Sequence, residues 1–520
     1  MAGLVVRPIG LLALCALLAA VWLGGAGHQR TLAASFTVNT MVDAVDAVPG
    51  DGVCATGAGQ CSLRAAVQEA NASPGLDVIT LPAGTFTLGL AGASEDLAVS
   101  GDLDIDGDLT MSGAGADATV IDAASLDRVL DVTGDVVVNI SGVTIQNGSS
   151  GAIDGGGIFN RGTMTLQSVT VRNNRADDGG GIDNAGTLAL IESAVSGNIA
   201  DDAGGGIHNK GALKVIRSAI EDNQAASSGG GINNRDEVTL SDSTVSGNAA
   251  TSGRGGGISN SVDATMTNVT VSGNTAGAGG GIVNFGTVSL TNVTLAQNTS
   301  VFAGGALLNE ETASLTMKNT VVASGESGGT CANAGTLTSD GHNLEDGGGC
   351  GLTGPGDMTN TDPLLGALAD NGGPTRTHAL LDGSPAIDAG DNAGCPAADQ
   401  RGAPRPFDGD SDGTATCDIG AYEFGATIAA ATATPTRTAT ATRTRTPTRT
   451  PTPTAMIGDV DCSGAVNSID AALVLQRSAG LLSSLRCPQA GDVNGDGRVD
   501  AVDAALILQY DAGLLSRWPP

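Results

Sequence analysis

Aromatic residues are almost missing from this chain: Phe, Trp and Tyr make up 2% of its 520 residues. Stacking platforms for bases are therefore lacking, and a sugar groove paved with rings is equally disfavoured. Positive charge is scarce too. Lys and Arg total 24 against 55 Asp and Glu, a formal net charge of -31. A nucleic-acid partner, which selects a basic face, is excluded on both counts. An acidic surface suits solubility and calcium binding instead. Long apolar runs are confined to residues 9–23, after Arg7, and this run falls short of the about 20 residues that span a bilayer. With Ala33 and Ala34 ahead of Ser35, residues 1–34 read as a secretory signal peptide, so the mature protein is secreted, with an uncleaved anchor as the alternative. Cys15 follows Leu14, not the small residue of a lipoprotein signal. No other stretch of the sequence could span a membrane.

Glycine is abundant, with 79 residues, and much of it is in register. GGGIFN starts at Gly155, GGGIDN at Gly179, GGGIHN at Gly204, GGGINN at Gly229, GGGISN at Gly255, GGGIVN at Gly279 and a worn GGALLN at Gly304. These starts are 24, 25, 25, 26, 24 and 25 residues apart, the self-similarity of a solenoid whose repeats stack as coils. Between the glycines run short alternating segments rich in Thr and Val, such as 163–166 with 168–171 and 287–290 with 292–295. Alternation and β-branching predict strands, with no window for a capped helix. The fold class is mainly β, a parallel β-helix; seven coils at about 4.8 Å make a rod segment of about 34 Å.

Asparagine recurs after the glycines at 160, 184, 209, 234, 260, 284 and 309, and after the second strand at 147, 174, 198, 223, 248, 274 and 298. Stacked asparagines can bond along the rod and tolerate left-handed corners. The glycines supply positive φ and close backbone approach, and since no helix follows them they are not phosphate loops. Irregular coils at 102–111, 119–122 and 136–145 lead into the repeats, and 61–75 reads as an amphipathic helix with Leu63, Ala66, Val67 and Ala70 on one face and a stop at Pro74-Gly75. Laid across the end of the rod, it would cover an edge that invites aggregation.

Eight cysteines follow the signal: 54, 61, 331, 350, 395, 417, 462 and 487. An even number in an exported chain suggests disulfides, and nearest neighbours would form four local loops, although sequence alone does not fix the pairing. Residues 426–455 are Thr, Pro and Ala with scattered Arg, an extended linker. The organisation expected is thus a signal at 1–34, a cap and first coils at 35–118, β-helix repeats at 119–330, closing coils and cap at 331–425, the linker at 426–455, and a small domain at 456–520.

In that last domain Asp459, Asp461, Ser463, Gly464, Asn467 and Asp470 fall at positions 1, 3, 5, 6, 9 and 12 of a calcium loop, and Asp492, Asn494, Asp496, Gly497, Asp500 and Asp503 repeat the set. Oxygen ligands at these spacings wrap one Ca²⁺ each, with the carbonyls of Ala465 and Arg498 at position 7. Each loop runs into a helix, DAALVLQRSAGLL from Asp470 and DAALILQYDAGLL from Asp503. Two such loops with near-identical helices are a strong signal of a two-ion, all-α domain, and Ser463 makes the first site the weaker. A Cys462–Cys487 bridge would clasp so small a core.

A duplicated loop and helix behind a Thr/Pro linker resembles a type I dockerin. That resemblance implies insertion into a cohesin on a scaffold or cell surface, with positions 10 and 11 contributing recognition: Ser468 and Ile469 in one half, Ala501 and Val502 in the other. CSLRAAVQEAN from Cys61, followed by DVITLPAGTFTL, resembles the CSLREA-type opening of secreted bacterial right-handed β-helix proteins. The GGGI-x-N copies are similar to repeats of polymorphic outer membrane proteins, and residues 371–391, with DIGAYEF at 418–424, resemble the closing segment of choice-of-anchor domains. These resemblances imply architecture and attachment more than chemistry.

For catalysis the best candidate is the carboxylate column before the glycines, Asp154, Asp178 and Asp202, with Asp177 and Asp201 beside it. On adjacent coils these stand one strand spacing apart, near enough to share Ca²⁺ or shift each other's pKa. Arg161, Lys210 and Arg235 lie on another corner and His208 stands alone, while His342 and His378 read as structural. No coil is interrupted by a site-building loop. The leading expectation is a secreted β-helix for binding or display, docked through calcium to a cohesin-bearing partner. The alternative is a polysaccharide lyase or O-glycosyl hydrolase of a cellulosome-like complex; a weaker one is an adhesin whose plug binds itself.

Overall fold

The computed structural model describes residues 33–92, 97–428, and, further on, 457–460, 466, 470–471, 473–474, 477, 485, 487, 490–494, 498–499, 503–504 and 506–507. The chain divides into two compact units, Met1–Ala431 and Thr432–Pro520.

The first unit is a parallel β-solenoid of about ten turns. Three sheets run along it. One holds ten short strands, among them Leu103–Ile105, Leu130–Val132, Ile158–Asn160, Ile182–Asn184, Ile207–Asn209, Ile232–Asn234 and Cys331–Asn333. A second holds twelve, including the five-residue strands Thr163–Gln167 and Thr287–Thr291. The third holds sixteen, two rows joined through Thr294–Ser300. Each strand pairs in parallel with its equivalent one repeat away, as Met164 with Leu188 and Leu166 with Leu190. Alternation then sends Met164, Leu166, Leu188 and Leu190 inward, where all are buried. The second segment of each repeat starts later than the sequence pattern suggests. Ser168 is a left-handed corner at φ 52°, and the strand is Thr170–Arg172.

Three columns of positive φ turn the coil. One is the first glycine of each triplet, 62° at Gly179 and 70° at Gly204. The others run through Ser168, Glu192, Arg217, Asp242, Asn268 and Asn292, and through Asn147, Asn173, Gly197, Asp222, Gly247, Gly273 and Gln297. Asn147 therefore belongs to a corner, not to the ladder expected from its spacing. Its side chain donates to Asp122 at 2.9 Å, while Gly148 takes the ladder register by donating its N–H to Asn174. The remaining asparagines do stack, and inward. Asn160 to Asn309 form one buried ladder, each amide donating to the next at 2.7–2.9 Å and ending on Asn333. Asn174 to Asn298 form the second at 2.9–3.0 Å.

The predicted helix is Leu63–Ala72, capped by the Ser62 hydroxyl, and it packs against strands Asp77–Thr80 and Leu103–Ile105. Leu63, Ala66, Val67 and Ala70 join the main core, as the amphipathic pattern requires. Disulfides link Cys54–Cys61, Cys331–Cys350 and Cys395–Cys417, the nearest-neighbour pairing. Cys487 is also disulfide-bonded, and Cys462 lies outside the described residues. Residues 374–424 return as a strap along the sixteen-stranded sheet, from Asp242, whose carbonyl accepts from Thr375, to Asn319, which accepts from Asp391.

Candidate functional site

The middle residue of each I-x-N strand points away from the core, because its neighbours on either side point in. Register lines these residues up as Asp104, Asp131, Phe159, Asp183, His208, Asn233, Ser259 and Val283. Outward residues of a sheet are ordinarily wet. Here Asp183 and His208 are 0% exposed and Asn233 3%.

Side chains from two flanking columns cover them. Lys210, just after a ladder asparagine, reaches across the strand row to Asp154 at 2.8 Å and Asp183 at 2.9 Å. His208 Nδ1 lies 3.1 Å from Asp178 and 3.7 Å from Asp183. Asp178 also accepts from the Ala203 N–H at 2.9 Å. Two corners that are separate in sequence thus meet over one floor, and His208 is not alone: two carboxylates flank it. Asp183, which the sequence reading did not single out, is the centre of the cluster. The signal was present, since GGGIDN and GGGIHN put Asp183 and His208 at the same place in successive copies.

Electrostatics follow from burial and these partners. Burial pushes Asp183 up to about 6, although Lys210 and His208 pull the other way. Asp178 is also pushed up by burial, but the His208 ring, the Ala203 N–H and Lys210 outweigh it, and its carboxyl titrates below the usual range. Burial works against the Lys210 charge, yet hydrogen bonds to Asp154 and Asp183 hold its ammonium above its ordinary value. Asp177, lifted by lost solvation and by Asp178, Asp202, Asp154 and Asp201, shows the coupling expected of the carboxylate column. Lys210 is thus a steady cation, whereas Asp183 can exchange a proton near neutrality. Asp183 Oδ1, His208 Nε2 and Asn233 Nδ2 have no hydrogen-bond partner, and His208 Nδ1 has the Asp178 and Asp183 carboxylates beside it but no hydrogen bond of good geometry.

The carboxylate column divides. Asp154 and Asp178 join the cluster; Asp202 does not, for it accepts from the Ser227 hydroxyl on the next coil, and Asp201 pairs with Arg175 at 2.5 Å. Nor do these carboxylates converge as a three-ligand group. Among the described residues such groups are Asp102, Asp104 and Asp131, and Asp388, Asp408 and Asp410; Glu345 lies equally close to Cys331 and Cys350, but their sulfurs are joined in the disulfide. Arg128 already neutralises the first, 2.6 Å from Asp131 and 3.5 Å from Asp102. Arg161 stays at its own end, on Asp131 at 2.7 Å and 4.8 Å from the Phe159 ring centre. His342 and His378 are tied into the closing segments, His342 2.8 Å from the Ala389 carbonyl and His378 2.8 Å from Ser272.

In the second unit, Val460, Ala471, Val474, Leu485, Cys487, Ala490, Val493, Ala504 and Ile507 form one core. The two halves repeat one contact. Asp470, fully buried at loop position 12, accepts from the Val460 N–H at 2.8 Å, and Asp503 accepts from Val493 N–H at 2.9 Å. Each carboxylate thus folds back to the start of its own loop, as a wrapped cation requires, and Asp459, Asp492, Asn494 and the Arg498 carbonyl bring further oxygens of the kind calcium selects. The donor set fits that ion. The other ligand positions, Asp461, Ser463, Ala465, Asn467, Asp496 and Asp500, and the recognition positions Ser468, Ile469, Ala501 and Val502, lie outside the described residues.

Residues 457–510 match the dockerin type I domain. A solved structure, the crystal structure of a pectate lyase, is similar with a TM-score of 0.42 and 13% identity, over 76% of this chain and 98% of that one. No curated protein matches the chain. Type I dockerins bind calcium and imply a cohesin partner; the disulfides accord with an extracellular setting, and no helix among the described residues is long and apolar enough to cross a membrane. The chain is therefore a parallel β-solenoid that carries a dockerin type I domain at residues 457–510.

Proposed function

We propose that this protein is a secreted subunit that docks through two calcium ions to a cohesin on a scaffold or cell surface, and that its rod engages polysaccharide for that assembly. The observation that carries the docking half is the duplicated closure of the calcium loops by Asp470 and Asp503. In this reading Asp459, Asp461, Ser463, Ala465, Asn467 and Asp470 hold one ion, and Asp492, Asn494, Asp496, Arg498, Asp500 and Asp503 the other. Ser468, Ile469, Ala501 and Val502 face the cohesin. Calorimetry of the full chain with Ca²⁺, followed by binding to a panel of immobilised cohesins, tests it. Cohesin capture that chelator abolishes is expected; capture indifferent to chelator would overturn it.

An enzymatic reading is favoured by one specific observation, the cluster of Asp178, Asp183, His208 and Lys210. Asp183 and His208 are suited to moving a proton and Lys210 to holding a negative charge in place, the roles a polysaccharide lyase or O-glycosyl hydrolase needs. Release of unsaturated or reducing ends from polysaccharides, lost in Asp183→Asn, is the expected outcome. Binding without release of either end would leave a display module.

A further inference from the structure

The Lys210 ammonium sits between two carboxylates of unequal kind. Asp183 is on the floor, 0% exposed, whereas Asp154 comes from the coil on the far side of it and, like Lys210, has its side chain 35% exposed. A partly exposed pair of this sort is weakly held, since water competes for both ends. Asp183 Oδ1, on the floor beneath it, has no hydrogen-bond partner, and neither have His208 Nε2 and Asn233 Nδ2 on the next two strands of the same row, each step about 4.8 Å. Buried polar atoms without partners cost stability unless something meets them. Arg235 follows Asn234 as Lys210 follows Asn209 and is exposed, which puts a second cation one step further along the same rim.

We infer that the Asp154–Lys210 bridge is a displaceable cover over a binding site for a carboxylate-bearing sugar, a uronic acid unit of a polysaccharide, whose carboxylate takes the place of Asp154 on Lys210. This deepens, and rests on, the polysaccharide-facing reading of the rod. Asp154 is itself the stand-in that marks the chemistry: a monoanionic carboxylate at hydrogen-bond distance from a fixed ammonium. With the bridge open, ring hydroxyls can donate to Asp183 Oδ1 and accept from Asn233 Nδ2, while His208 Nε2 serves either role. A neutral sugar has nothing for Lys210. A sulfate ester would bring Lys210 a bulkier tetrahedral group in place of the planar two-oxygen carboxylate whose shape Asp154 marks.

The test is equilibrium binding of oligogalacturonate to the full chain, with a neutral galactan oligomer and dextran sulfate as comparators. Wild type binding oligogalacturonate over both is expected. Lys210→Gln should lose tenfold or more. Asp154→Asn should tighten binding, by about threefold, because it removes the internal competitor without removing volume; a structural ion pair would give no change or a loss. Thermal unfolding keeps misfolded variants out of the comparison, and Asp154→Asn still decides the matter if Lys210→Gln does not fold. Absent binding, equal binding of the comparators, or Asp154→Asn no tighter than wild type would overturn the inference. Calcium-dependent cohesin capture, measured alongside, is expected unchanged in every variant, so loss of capture would count against the docking reading alone.

Discussion

Asn209 makes three hydrogen bonds through its side chain. It donates to Asn234 at 2.7 Å and to the Glu237 carbonyl at 3.0 Å, and accepts from Asn184 at 2.8 Å. Truncation would strand partners on both sides inside the rod, so Asn209→Ala is expected to lower stability by about 1–3 kcal/mol in denaturant unfolding. Asn147→Ala, which loses one bond to Asp122 and puts alanine at a left-handed corner of φ 56°, should cost about 1 kcal/mol, at the low end of that range. The glycines divide in the same way. A Cβ on Gly280 would meet the Thr299 carbonyl oxygen at 2.2 Å and that of Gly305 at 2.6 Å, whereas Gly273, at φ 65°, has nothing nearer than 4.0 Å. Gly280→Ala should therefore cost about 3 kcal/mol or more, as overpacking against backbone does. Gly273→Asn, in a column where Asn147 and Asn173 already sit, should cost less than about 1 kcal/mol; thermal melts of the pair check both. Sequence told that these residues were structural because they recur, but spacing alone places Asn147 with Asn174. Only the backbone turn separates ladder from corner.

The closing strap is an element whose behaviour depends on buried charge. Gln400 donates to Thr244 and Thr375 at 2.9 Å and accepts from Thr270 at 2.6 Å, while Asn292 donates to the Asp418 carbonyl at 3.2 Å. Burial and the nearby Glu423 push Asp418 up to about 8. A carboxyl raised above its unfolded value of 3.8 keeps a proton in the folded state that the unfolded chain releases. Its contribution is complete below the unfolded value and fades as pH climbs through the folded one. The rod should accordingly melt at a higher temperature near pH 5 than near pH 8, and Asp418→Asn should flatten that slope; a melting temperature rising with pH and indifferent to the substitution would refute this. Nothing in the sequence placed the strap on the coils from Asp242 to Asn319, for it repeats no motif. The turn through Cys331–Asn333 falls within the closing coils expected from residue 331, but its register was not legible, because its glycine triplet has decayed, although Gly328 and Gly329 still turn the corner at φ 88° and 68°. The candidate site was half legible: Asp154 and Asp178 stood out as a column of one charge, whereas Asp183, His208 and Lys210 differ in type and meet only by stacking.

At the scale of the molecule, two units with different sources of stability share one chain. The small one has a short core and depends on its loops; the long one rests on apolar burial and on ladders. Chelation is expected to abolish the thermal transition of the dockerin and its capture by cohesin while leaving the β-sheet circular dichroism and melting temperature of the rod unchanged. A rod transition that falls with chelator would show that it, too, holds a metal. The ladders have one more consequence, for lifetime. Every junction between the regular coils is crossed by the same strand pairings and by two rows of amide bonds, so none of these is the weak one. Opening is then expected to begin outside the laddered coils, in the first coils with the helix Leu63–Ala72 or in the last coil beside Cys331–Cys350, and to proceed coil by coil. Resistance to extracellular proteases is decided at those two ends, however many repeats lie between them.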